Sequence, residues 1–301
     1  MKMRLLHIGL QGPEGGGRKS ALPSLLLLCC LLLCAGPLAS AQPTNYWECL
    51  PVAGDLKYEN LPFQVGEHIK YNINYKWGVI NGNVCKADMR MEAKTYNGIP
   101  ALGVRIYGQT NSFYDNFFKV REDMRATFTR DGLVPLYAYR EAKEGNYTMT
   151  NEARWVYDAD PPYIQNVKET SKKGRQESTV AVRPCLTDLL TVFYMLRCLD
   201  FDKLLEMGEF TMYYTMDGKT KETKAKVVGR EDYNVKGVGK IPAIKLGAVI
   251  SSDGKYGYAY YSECPGHILL GFNVPIVVGY ASASISDWEM LKYPLQPVEK
   301  K

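Results

Sequence analysis

The sequence predicts a mainly β protein: two antiparallel β-meanders, their sheets strongly curved in the manner of a half-open barrel, with one helix between them. Three observations carry this. Alternation of period two runs through "HIKYNINYKWGVINGNVCKADMRMEA", residues 68 to 93. Hairpin dipeptides, Asp131-Gly132 and Asp217-Gly218, punctuate later alternating runs. One stretch, "RPCLTDLLTVFYMLRCLDF", places apolar residues at helical spacing. The composition, 46% hydrophobic and 23% charged, is that of a globular chain and not of a disordered one.

In the first run Ile69, Tyr71, Ile73, Tyr75, Trp77 and Val79 alternate with His68, Lys70, Asn72, Asn74 and Lys76. Asn81-Gly82-Asn83 reads as the turn, after which Cys85, Ala87, Met89 and Met91 continue the apolar side. Asn97-Gly98 makes the next turn, and Leu102, Val104 and Ile106 the next strand. "NSFYDNFFKVRED", residues 111–123, is rich in aromatics but does not alternate cleanly. "MRATFTRDGLVPLYAYRE" reads as strand, turn, strand. Tyr147, Met149, Ala153, Trp155 and Tyr157 line one side of a further strand, and Pro161-Pro162 interrupts the pattern.

Leu186, Leu189, Leu190, Phe193, Leu196 and Arg197 then follow the i, i+3, i+4, i+7 rule, with Pro184 fitting a start. The expected helix, Leu186 to Arg197, is the longest of the mature chain and buries Leu189, Leu190 and Phe193 against a sheet. Strands resume at Phe210 to Met216, Ala225 to Val227, Ile244 to Ile250 and Tyr256 to Tyr260, and end in "VPIVVGYASASISDWEML".

Arg18-Lys19, the apolar run "LLLLCCLLLCAG" and Ala39-Ser40-Ala41 have the pattern of a secretory signal peptide cleaved before Gln42. Cys29, Cys30 and Cys34 follow leucine or cysteine, which argues against lipid modification. The protein is therefore expected to be exported, with the periplasm as the first compartment and an outer-membrane-associated or extracellular location as the alternatives. The organisation reads as signal peptide 1–41, N-terminal extension 42–58, first meander 59–180, helical connection 181–207, second meander 208–292 and tail 293–301. No second apolar segment is long enough to span a membrane. Removing residues 1–41 lowers the net charge from +5 to +2, which gives no support to nucleic-acid binding. "KETSKKGR", 168–175, reads as a solvated loop.

The two halves share a layout. Gly66-Glu67 opens one alternating strand and Gly208-Glu209 another; Ile99-Pro100-Ala101 in the first half matches Ile241-Pro242-Ala243 in the second. This points to two related meanders joined through the helix.

"ENLPFQVGEHIKYNINYKWGVINGN", "SFYDNFFKVRED", "RPCLTDLLTVFYMLR" and "VPIVVGYASASISDWE" together resemble the bacterial exported proteins of domain-of-unknown-function family 3108, over about residues 59 to 290. The resemblance implies an exported, mainly β protein of a kind frequent in Bacteroidota and other Gram-negative bacteria. It implies no activity. "SECPGHILLG" departs from the Asp-rich turn usual in that family.

Catalytic chemistry finds few candidates. No Gly-x-Ser-x-Gly, His-Glu-x-x-His or phosphate-cradling loop occurs, and no metal or cofactor is expected. His68 and His267 are both expected at the surface. Cys49, Cys85, Cys185, Cys198 and Cys264 remain after cleavage; export permits one or two bridges among them, with the pairing open. Cys185, near a helix start with Asp188 three residues on, is the one candidate nucleophile. The alternative reading makes it a buried cysteine, with Asp188 stabilising the helix N-terminus.

The unusual feature is aromatic: the chain has 22 tyrosines, whose apolar bodies and polar rims suit an amphiphilic ligand in a curved sheet as well as the edges of a packed core. The leading expectation is a non-enzymatic cell-envelope protein that binds a lipid-like or otherwise amphiphilic component in a concave, aromatic-lined face. The candidate residues are Tyr71, Tyr75 and Trp77, with Tyr114, Phe117 and Phe118 closing the site. A structural or glycan-associated interaction module with a solid core is the alternative, and a cysteine-based hydrolase the third.

Overall fold

The computed structural model describes residues 43, 45–77, 80–250, 254–275 and 279–298, except the side chains of Trp77, Ile80 and Asn81. The expected signal peptide and its cleavage site lie outside the described residues. The first half contains β1 (His68–Trp77), β2 (Ile80–Tyr96), β3 (Ile99–Thr110), β4 (Val120–Thr129), β5 (Pro135–Glu144), β6 (Tyr147–Val156), β7 (Tyr163–Thr170) and β8 (Gly174–Ala181). The second contains β9 (Leu186–Thr187), β10 (Glu209–Met216), β11 (Lys219–Val235), β12 (Gly239–Val249), β13 (Tyr256–Ser262), β14 (Leu269–Pro275) and β15 (Tyr280–Glu289). Among the described residues there are three short α-helices: α1 (Ser112–Asp115), α2 (Leu189–Arg197) and α3 (Phe201–Met207).

Turn chemistry fixes the hairpins. Asn97 and Gly98 have φ of 48° and 81°, and Asp217 and Gly218 have 55° and 72°. Two successive positive φ values are what a type I′ turn needs, and its twist matches that of the flanking strands. The first hairpin does not turn at Asn81-Gly82-Asn83: β2 already runs from Ile80, so Asn81, Gly82 and Asn83 pair with Lys76, Tyr75 and Asn74. A register shift between Ile73 and Asn74 keeps Ala87, Met89 and Met91 on the buried side.

All fifteen strands belong to one sheet, in the order β8 to β1 followed by β15 to β9. The two meanders are thus not separate sheets. β1 pairs antiparallel with β15, joining residues more than 200 positions apart, such as Ile69 and Trp288. The sheet is mixed because β9 runs parallel to β10. It is not closed: β8 and β9 are its edges. Side chains nevertheless bridge those ends. Leu186 on β9 packs with Trp155 and Ile164, Lys168 Nζ lies 3.1 Å from Asp217 Oδ1, and the Arg183 guanidinium sits 3.9 Å from the Tyr213 ring centre. The halves repeat each other locally. β2 and β11 each have 17 residues and are followed by strands bearing the Ile-Pro-Ala triplets.

Within this wrap lies α2, nine residues and the longest helix among the described residues. It starts at Leu189 rather than Leu186, because Leu186 and Thr187 are drawn into β9 and Asp188 takes the N-cap. The Asp188 carboxylate accepts from the backbone N–H of Leu190 and Thr191 and from the Thr191 hydroxyl. Leu190 is buried, while Leu189 and Phe193 are half-buried. A second helix, α3, follows where the sequence suggested only the end of the first.

The N-terminal residues are part of the fold. Tyr46 and Trp47 are buried, and the Trp47 indole N–H donates to the Gly132 carbonyl at 2.8 Å. A disulfide joins Cys49 to Cys185, and Ala53 N–H donates to the Cys198 carbonyl at 2.9 Å. This strap and α3 cover the end of the sheet at which β1 begins. There Arg197, at the C-terminus of α2, meets Glu67, with Leu61 and Phe63 fully buried beside them.

Candidate functional site

Three cavities meet at Leu189, the first residue of α2. The first, about 260 Å³, lies between α2 and strands β1 to β4, β14 and β15; Ile69, Tyr71, Ile73, Met89, Phe193 and Phe272 line it. The second, about 200 Å³, lies on the other side of the helix against β10 to β14, lined by Val192, Met212, Leu246, Tyr258, Tyr261 and Val274. Leu189, Phe193 and Phe272 border both. Both walls are almost wholly apolar, so water gains little by entering them.

The third cavity, about 260 Å³, differs in having polar side chains in its wall. Glu122, Arg125, Arg140, Asn151, Asp188 and Thr215 line it together with Leu189 and Leu190. Arg140 donates to Glu122, and this pairing outweighs burial in keeping the guanidinium charged. Asp188 is spent on the helix cap, and burial raises its pKa above the ordinary carboxylate range. Among the described residues the Asn151 Oδ1 and the buried Thr215 Oγ1 have no hydrogen-bond partner. In the second apolar cavity the Tyr261 hydroxyl, fully buried, also has none.

Alternation on β1 brings Tyr71, Ile73 and Tyr75 to the cavity side. Tyr71 lines the first cavity, and its hydroxyl donates to the Leu269 carbonyl at 2.9 Å; burial pushes its pKa upward, which keeps it a donor. Tyr75, half-buried, lies one step further along, opposite Gly82. The Tyr114 hydroxyl lies over the same glycine, where a Cβ would come within 2.8 Å of it. Tyr71, Tyr75 and Tyr114 therefore share a face. The Trp77 side chain lies outside the described residues. Phe117 and Phe118 do not close the cavity: they are 76% and 54% exposed, on the segment that follows α1.

The thiol expected at Cys185 is not free, since it is bonded to Cys49. Cys85, Cys198 and Cys264 are free, and burial pushes the Cys198 thiol up to about 12. Neither histidine is at the surface. His68 is buried, its Nε2 2.8 Å from Asp88 Oδ2, because β2 and β15 flank it with carboxylates. His267 is half-buried, with Nδ1 2.8 Å from the Arg197 carbonyl and its ring edge-on to Phe201. Residues 168–175 are a β7–β8 hairpin rather than a loop. The last run divides into β14 and β15. No helix among the described residues is long and apolar enough to cross a membrane.

Sequence reasoning missed the third cavity. Asn151, Thr215 and Arg140 sit on strands far apart in the chain, and only the wrapping of β10 toward β6 brings them together. The lone signal was the interruption of apolar faces by Asn151 and Thr215, which many edge strands also show.

The family model described as "Protein of unknown function (DUF3108)" matches residues 70–282, from the third residue of β1 into β15, and so spans the sheet and α2. The chain belongs to the DUF3108 family. Among solved structures, this DUF3108 chain is similar to a crystal structure of a beta-barrel-like protein of domain of unknown function DUF1849 from Brucella abortus. The identity is 8%, the TM-score 0.46, and the match covers 75% of this chain and 98% of that one. No curated protein matches the DUF3108 chain.

Proposed function

We propose that this protein is an exported, non-enzymatic envelope component that holds a lipid-like amphiphile inside a half-open barrel. The apolar parts of the ligand lie in the two cavities beside α2, and its polar end lies toward Asn151, Thr215 and Arg140. One observation carries the reading: two apolar cavities and a third with polar side chains in its wall converge on Leu189. A core serving only as scaffold tends to fill such space with side chains, since protein interiors pack densely. Here the helix face that should seal the sheet leaves Leu189 and Phe193 half-buried. Unpartnered polar atoms at Thr215 and Asn151 favour a ligand with a hydrogen-bonding head over a pure hydrocarbon.

Titration with a fluorescent fatty acid tests this. Saturable binding is expected, with a loss of at least about tenfold in affinity for Leu189→Trp, which fills the junction. Asn72→Ala, on the other face of β1, is expected to bind as the unsubstituted protein does. Equal binding by both variants, or none by the unsubstituted protein, would leave the cavities as packing defects.

A further inference from the structure

The end of the sheet away from the N-terminal strap carries two features that ligand binding does not use. Alternating strand direction gathers there the last residues of β1, the 111–119 segment, and the β5–β6, β7–β8 and β10–β11 turns. The first feature is aromatic. Phe113, Phe117 and Phe118 are 64%, 76% and 54% exposed, and the Phe113 ring lies 5.5 Å from that of Phe117. This segment is tethered: Asp115 binds Arg121 at 2.5 Å, and the Asn111 amide donates to the Asn83 carbonyl at 2.8 Å. Three large apolar side chains are thus held outward on an anchored turn, at a cost in water that a folded chain ordinarily avoids.

The second feature is charge. Lys76, Lys119, Lys172, Lys173, Lys219 and Lys221 are exposed on or beside these turns. Among the described residues the exposed carboxylates beside them are Glu169, Glu177 and Glu222, with Glu177 bound to Arg175, while those of Asp115 and Asp217 are bound to Arg121 and Lys168. Basic side chains therefore share this end of the sheet with the aromatic patch, on turns from the end of β1 to the start of β11. Aromatic groups prefer the interfacial layer of a bilayer, and lysines beside it gain from anionic headgroups, about fivefold in partition for each one that reaches the surface.

We infer that this end of the sheet docks on the surface of an anionic lipid bilayer. Phe113, Phe117 and Phe118 enter the interfacial layer, and the lysines face the headgroups. Docking in this way does not depend on the cavities being occupied.

Flotation of the purified protein with vesicles tests the inference. Phosphatidylglycerol–phosphatidylethanolamine vesicles are expected to carry the protein up, and phosphatidylcholine vesicles are not. Raising salt from roughly 0.05 to 0.5 M is expected to reduce partition more than about tenfold. Phe117→Ser with Phe118→Ser, and separately Lys172→Glu with Lys173→Glu, are each expected to reduce it by at least about tenfold; all four side chains are exposed, so thermal stability should be unchanged. Binding that ignores lipid charge, or that survives both double substitutions, overturns the inference. Absence of binding to either vesicle also overturns it and assigns the patch to a protein partner. Leu189→Trp separates this reading from ligand binding: it is expected to lose the fatty acid and keep its vesicle partition.

Discussion

Arg197 grips Glu67 with two prongs, Nη1 to Oε1 at 2.5 Å and Nη2 to Oε2 at 2.9 Å, and both side chains are almost wholly buried. Further bonds complete the site. The Arg197 Nε–H donates to the Gly266 carbonyl at 2.9 Å, and the Tyr194 hydroxyl donates to Glu67 at 3.2 Å. The pair ties the C-terminus of α2 to the start of β1, at the edge of the first apolar cavity, whose wall Arg197 joins. Burial works against the charge on Arg197, but the neighbouring Glu67 carboxylate more than offsets this and holds its pKa above the ordinary value.

Removing one partner should therefore cost far more than removing both. Glu67→Gln strands the guanidinium and is expected to destabilise by about 3–5 kcal/mol in urea unfolding. Glu67→Leu combined with Arg197→Met should cost less than Glu67→Gln alone. A double variant worse than the single one would show that the pair contributes more than mutual neutralisation.

His267 gives the fold a pH dependence. Burial depresses its pKa below 6.5, and the groups facing it, the Arg197 carbonyl and guanidinium and the Phe201 ring, include no carboxylate to stabilise the cation. With the folded pKa lower than the unfolded one, this contribution is complete above about pH 6.5 and is lost as the pH falls through the folded value. Urea midpoints should fall as the pH is lowered from about 8 to about 5, and His267→Gln should flatten that slope. An unchanged slope in the variant would assign the pH dependence elsewhere.

The Cys49–Cys185 bridge closes a loop over 136 residues and pins the N-terminal strap under α2. Cys49→Ser with Cys185→Ser is expected to lower unfolding stability by about 2–5 kcal/mol and to expose the strap to protease. Cys198, its thiol pushed up to about 12 by burial, should resist alkylation in the folded protein while reacting freely in urea.

Helix α2 offers a graded test. Leu190, 2% exposed, should cost about 2–5 kcal/mol when replaced by alanine. Leu189, half-buried beside cavity space, should cost under about 1 kcal/mol for the same change, because much of its side chain has few partners to lose. Equal costs would mean that Leu189 is as well packed as Leu190.

Much of the fold was legible because period-two alternation and turn dipeptides are local signals. Ile69 to Tyr75 and Met89 to Met91 share a buried side as their spacing demands, and Asn97-Gly98 and Asp217-Gly218 turn where their φ preferences allow. The joins between distant segments were not legible. Nothing local to Ile69 announces Trp288 as its neighbour, so one sheet reads as two. The start of α2 was misplaced because Leu186 fits a helical stripe and a buried strand equally well; the cap at Asp188 decides between them. Pairing of Cys49 with Cys185 depends on Tyr46 and Trp47 being carried into the core, and an "extension" label gave no reason to expect that. Of the first cavity's wall, Tyr71 followed from alternation. The outward turn of Phe117 and Phe118 did not, since apolarity alone cannot tell a lid from an exposed patch.

Native mass spectrometry of the protein purified from its own host tests the central claim most directly. The account predicts a mass above that of the chain, released on denaturation as a small amphiphile with an apolar body and a polar head, present in Asn72→Ala and absent in Leu189→Trp. A mass equal to that of the chain alone, in protein that is folded and has not met detergent, would contradict it.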